Sequence, residues 1–105
     1  MVRYMVLFET PDDPEAFDRY YREHHIPLIK ALPHLRSLKL SREVSPVRGE
    51  PYHFISTLEF DDMAALKDSF ASPEGGAAAR DVANLAGPDK IRSVIFETED
   101  VDLTA

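Results

Sequence analysis

Four histidines carry most of the proton chemistry this chain offers, and two of them are adjacent. His24 and His25 lie within Tyr20-Tyr21-Arg22-Glu23-His24-His25-Ile26-Pro27-Leu28. Imidazole is the side chain suited to taking and giving a proton near neutral pH. Pro27 follows at once, where a helix interior would lose a hydrogen bond and bend, at a cost of roughly 3 kcal/mol. A proton carrier beside a bend points to a shaped pocket. At about 100° per residue, His24 falls near the centre of a stripe formed by Phe17, Tyr20 and Tyr21, and His25 falls on its flank. Pro27 distorts the helix just beyond, so both histidines stay candidates for the pocket side.

Tyr21 stands one turn before His25 and shares its face. Its phenol can bond a substrate oxygen or orient the imidazole; the plainer role is core filling with the hydroxyl near the rim. His53 opens a strand after Pro51-Tyr52 and is a candidate for the pocket mouth, or else a solvated edge histidine. His34 follows Pro33 in a turn and reads as exposed. Adjacent histidines point about 100° apart on a helix and there is no His-x3-His pair, so no metal site is expected. Glu9, Glu23, Glu59 and Glu97 are scattered and read as surface charge. Gly75-Gly76 lacks the spacing of a phosphate loop and reads as a loose first turn, and no serine sits in a nucleophile elbow.

The elements that must position these residues follow from periodicity. Residues 2 to 9 alternate as a strand with large apolar groups on both faces. Asp13-Pro14 starts a helix running from about Pro14 to Ala31, which Pro33 ends. Leu35 to Glu43 form a second strand, Ser45 to Pro51 a polar hairpin loop, and Tyr52 to Phe60 a third strand. Asp61 or Asp62 caps a helix over Met63 to Ala71, and Ser72-Pro73 opens another that Gly87-Pro88 stops. Lys90 to Thr98 form the fourth strand, and the tail from Glu99 to Ala105 has no assigned place.

This β-α-β-β-α-(α)-β order predicts an α+β, ferredoxin-like fold: a four-stranded antiparallel sheet with its helices on one face. Met5, Leu7, Leu38, Leu40, Ile55, Val94 and Phe96 supply more apolar surface than one helical layer covers. A two-fold homodimer is the simplest cover for the bare face.

The 105 residues make one domain, and 44% apolar with 30% charged composition fits a soluble globule. No apolar run reaches the ~20 residues that span a bilayer. The first residues read as a strand and not a signal peptide. The net charge of -7 leaves no basic stripe, so neither nucleic acid nor membrane is an expected partner. With no cysteine, disulfides and thiolate chemistry are excluded, which fits a cytoplasmic location.

Tyr21 to Leu28, then Leu32-Pro33-His34-Leu35-Arg36, together resemble the EthD family of dimeric α+β barrels. Pro51-Tyr52-His53, Leu58 to Met63, Ser72 to Gly75 and Asp81-Val82-Ala83-Asn84-Leu85 follow in the family's order. The likeness covers roughly Val2 to Phe96. It implies a pocket between sheet and helices, a small organic ligand, no cofactor, and His25 of the His-x-Pro-Leu element as the site residue. The expectation is a cofactor-independent enzyme of catabolism or secondary metabolism, working on a lactone, phenol or carbonyl compound by histidine-assisted proton transfer. Members of the family are often labelled reductases. The alternative is a non-catalytic small-molecule binding protein that assists an oxygenase, and haem binding is a third class.

Overall fold

Why Pro27 is tolerated is the first question the structure answers. The structure is a computed structural model that describes residues 1–104; Ala105, the end of the unassigned tail, lies outside them. Helix α1 (Pro14–Tyr20) starts at Asp13, whose side chain accepts from the Ala16 N–H. It runs directly into a π-helical turn, Tyr21–His25, and then into α2 (Ile26–Lys30). The Ile26 N–H bonds the Tyr21 carbonyl, five residues back. This wider turn carries the chain past a proline that has no N–H and would crowd the carbonyl four residues before it. The helical path therefore continues through Pro27.

Four antiparallel strands form the sheet in the order Ser37–Leu40 (β2), Phe54–Phe60 (β3), Val2–Phe8 (β1) and Ile91–Glu97 (β4), with β1 and β3 central. This is the expected α+β, ferredoxin-like arrangement. The edge strands are β2 and β4. Strand β2 is shorter than the predicted Leu35 to Glu43. Past its ends the Arg36 N–H to the Glu59 carbonyl, the Ser41 N–H to the Ile55 carbonyl and the Ile55 N–H to the Ser41 hydroxyl extend the pairing. His34, at a φ of 67°, turns the chain into it, and an exposed loop follows.

Helix α3 (Met63–Ala71) is capped by Asp62 and α4 (Pro73–Asp81) by Ser72. The predicted loose turn at Gly75 is a tight contact: a Cβ there would run into the Ser69 carbonyl and the Phe70 backbone. Gly75 lets α3 and α4 pack closely, and α4 is placed as a result. Short 3-10 turns, Val82–Asn84 and Pro88–Lys90, link it to β4.

One face of the sheet carries the core. Val2, Val6 and Phe8 of β1 and Phe54, Leu58 and Phe60 of β3 are buried against Phe17, Tyr21, Ile29 and Leu66 from the helices. Register places Leu38 opposite Leu58 and Leu40 opposite Ser56, so both face the helices. The other face holds Met5, Leu7, Ile55, Val94 and Phe96, partly or largely exposed. Beside them Arg3, Ser37 and Lys39 surround Glu59. No helix among the described residues is long and apolar enough to cross a membrane.

Candidate active site

The π-turn decides between the two adjacent histidines. Phe17, Tyr21, His25 and Ile29 recur every four residues and are all buried. In a regular helix such a row drifts by about 40° per step. The wider turn takes up that drift and brings His25 back over the sheet. His25 is 5% exposed. His24 is left exposed outside, its ring 4.8 Å from that of Tyr20. The simple wheel favours His24, because it assumes a helix without the extra residue.

His25 Nδ1 lies 2.9 Å from an Asp81 carboxylate oxygen at the end of α4. The other oxygen accepts from the Tyr20 hydroxyl at 2.6 Å and from the Asn84 amide at 3.0 Å. Burial alone would raise the Asp81 pKa, but the Tyr20, Asn84 and His25 hydrogen bonds outweigh it, so Asp81 stays below the usual carboxylate range. The hydrogen bond to Asp81 chiefly raises the Tyr20 phenol. An ionised carboxylate only accepts. His25 Nδ1 must therefore hold the proton, and in neutral imidazole Nε2 keeps its lone pair. Nε2 has no protein partner among the described residues, nor is it sealed away from every cavity.

His25 lines a cavity of about 70 Å³ between the helices and the sheet. The walls are largely apolar, from Val6, Phe8, Ile29, Leu58 and Phe70, with Tyr4, Ser56 and Ser93 as hydroxyl-bearing members. By the same measure one water needs roughly 10–15 Å³, so the space admits several waters or a small functional group. It adjoins a groove of about 420 Å³ under α4 and β4, and the two share Ala79, Val82, Ile91 and Ser93. The alanines Ala79, Ala83 and Ala86 keep this groove wide.

The other predicted residues stand elsewhere. Tyr21 is 1% exposed, its ring 5.1 Å from His25 and 4.7 Å from Phe54, and its hydroxyl is buried without a partner. Burial raises its pKa, and a neighbouring Ser56 hydroxyl pulls the other way. His53 does not line the His25 cavity. It bonds Asp18 at 2.9 Å and borders a separate surface cleft with Tyr21 and Arg42. His34 pairs with Asp68 in solvent. Asp81 and Tyr20 had no assigned role in the sequence reading. Among the described residues, no three His, Cys, Asp or Glu side chains are grouped to hold a metal ion.

The EthD domain matches residues 10–89. The chain belongs to the EthD family. An EthD family protein from Bacillus halodurans superposes with a TM-score of 0.85 at 32% identity, covering 94% of this chain and 99% of that one. An uncharacterised 11.0 kDa protein from the thcB-thcC intergenic region of Rhodococcus erythropolis is 35% identical over 88 residues, 82% of this chain and 84% of its own length. At 15% identity the fold is shared with SnoaB, a cofactor-independent oxygenase from Streptomyces nogalater; the TM-score is 0.67 over 95% of this chain and 94% of SnoaB.

Proposed function

We propose that this EthD-family protein is a cofactor-independent enzyme in which His25, held by Asp81, moves a proton beside a carbonyl, lactone or phenol oxygen. The observation that carries the reading is a nearly buried His–Asp pair whose histidine lines a largely apolar cavity and whose second ring nitrogen bonds no other group among the described residues. Asp81 fixes the tautomer and stabilises the imidazolium that forms when Nε2 takes a proton. The apolar walls keep water from competing and strengthen that electrostatic effect. The small inner space admits the reacting group, while the groove under α4 takes an apolar body. Tyr21 acts in this scheme by packing against the imidazole. His24 and His53 stand too far outside the cavity to touch the reacting group.

The step balances without an oxidant. With a ketone, the C–H bond beside the carbonyl breaks, its proton passes to Nε2, and the electron pair forms the enolate. Returning the proton to the same carbon restores the ketone; in an unsaturated lactone, returning it to the far carbon of the conjugated enolate moves the double bond. The fold shared with an oxygenase keeps the second reading available, in which the chain binds such a molecule for a partner enzyme.

The working unit is a homodimer in the cytoplasm. Met5, Leu7, Ile55, Val94 and Phe96 form an apolar face that a second copy would cover by two-fold pairing.

Deuterium uptake from D2O at the carbon beside the carbonyl of acetophenone and of γ-butyrolactone tests the proposal. Uptake above buffer in the wild type, lost in His25→Asn, is the expected result. Binding of either compound without uptake would select the accessory-binding reading.

A further inference from the structure

Ser56 is an unexpected residue for its position. On the helix-facing side of β3 its neighbours are Phe54, Leu58 and Phe60, all buried, and Ser56 itself is 2% exposed. A hydroxyl without a partner is expensive there, and valine would pack as well. Among the described residues the only side-chain neighbour that the Ser56 hydroxyl engages is the Tyr21 hydroxyl, and Ser56 lies in the wall of the His25 cavity. The Tyr21 hydroxyl is buried too, and Ser56 is close enough to lower its pKa against the larger upward effect of burial. Two neighbouring hydroxyls with no side-chain partner but each other hold two protons between them, so one is left to donate to an acceptor in the largely apolar cavity.

We infer that the Ser56 hydroxyl, supported from behind by that of Tyr21, holds the ligand's oxygen opposite His25 and so selects which carbon the imidazole reaches. This rests on the proton-transfer reading and specifies its ligand. The ligand is an apolar molecule whose inner end carries one acceptor oxygen, with its body in the groove under α4 and β4. Tyr21 donates to Ser56 Oγ, and Ser56 donates to the oxygen. As the C–H bond breaks, charge grows on that oxygen, and the hydrogen bond strengthens where it is needed. The register adds a second handle: Ser56 and Ser93 both lie opposite Val6, on either side of it, so Ser93 stands at the mouth of the same row.

Acetophenone and α-methylstyrene have nearly the same shape and differ in one oxygen. Their dissociation constants, measured by ligand-observed NMR on the full chain, read the inference directly. The wild type should prefer acetophenone by roughly tenfold, the effect of one net hydrogen bond. Ser56→Ala should erase the preference while leaving α-methylstyrene affinity unchanged or improved, and Tyr21→Phe should reduce it in part. Ser56→Cys, nearly isosteric and a weak donor, guards against a packing artefact and should behave as Ser56→Ala. A preference that survives Ser56→Ala and Ser56→Cys overturns the oxygen-holding role alone. A wild type that binds neither compound overturns it together with the cavity reading beneath it.

Discussion

Two carboxylates lie nearly buried on opposite sides of the sheet, and their partners differ in kind. Glu59, on the open face, takes Ser37 at 2.5 Å, Arg3 at 3.0 Å and Lys39 at 3.2 Å. Two of those partners are permanent cations. Led by Ser37 and then Arg3, they lower the Glu59 pKa to about 2. Asp81, on the helical side, takes Tyr20, Asn84 and His25, none of which is a fixed cation. Its negative charge is solvated by dipoles but not cancelled, so a proton arriving on His25 completes an ion pair. Glu59 is already neutralised and has nothing left to offer a reaction. A buried acid is equipped for chemistry by what its partners leave undone.

Exchanging each acid for its amide separates the two most sharply. Asp81→Asn should lower the deuterium uptake by about a hundredfold or more, the usual scale of general acid–base catalysis. Glu59→Gln should leave kcat/KM within about twofold. Equal losses would erase the distinction.

On the open face the expected effect is on assembly. Val94→Arg places a charge amid the apolar surface and should shift sedimentation from dimer to monomer, with the His25 site intact. A wild type that sediments as a monomer at micromolar concentration would remove the two-fold cover from the account.

Acid should distinguish Glu59 through stability. Its folded pKa lies below the ordinary 4.5, so the stabilisation is complete above about pH 4.5 and drains away as pH falls toward about 2. Denaturation midpoints for the wild type should fall through that window, and Glu59→Gln should flatten the fall. Asp81 acts in the same direction, since its pKa is also depressed.

Tyr20→Phe gives the smallest effect. It removes one of three donors to Asp81 and leaves His25 attached, so uptake should drop by about three- to tenfold, near the value of one hydrogen bond.

Much of the architecture is legible in local signals. Caps at Asp13, Asp62 and Ser72 and the apolar parity of β1 and β3 follow from short-range rules. The site is less legible, for two physical reasons. Choosing His25 over His24 by geometry needs the π-turn, which depends on Pro27 and on packing of Tyr21 and Ile29 together. Asp81 looks like an ordinary charge in a last helical turn beside Arg80. Its role appears only when α4 meets the first helix across 56 residues. A signal was present in the small residues Gly75 to Ala79, which allow that close approach, and in Asp81 and Asn84 three residues apart at the helix end.

The tautomer of His25 tests the central claim most directly. Long-range 15N–1H correlation spectra of the neutral imidazole distinguish a protonated Nδ1 from a protonated Nε2. With Asp81 accepting from Nδ1, the wild type should show Nδ1 protonated and Nε2 as the bare nitrogen facing the cavity, and Asp81→Asn should lose that bias. Nε2 protonated in the wild type, or a spectrum unchanged by Asp81→Asn, would contradict it.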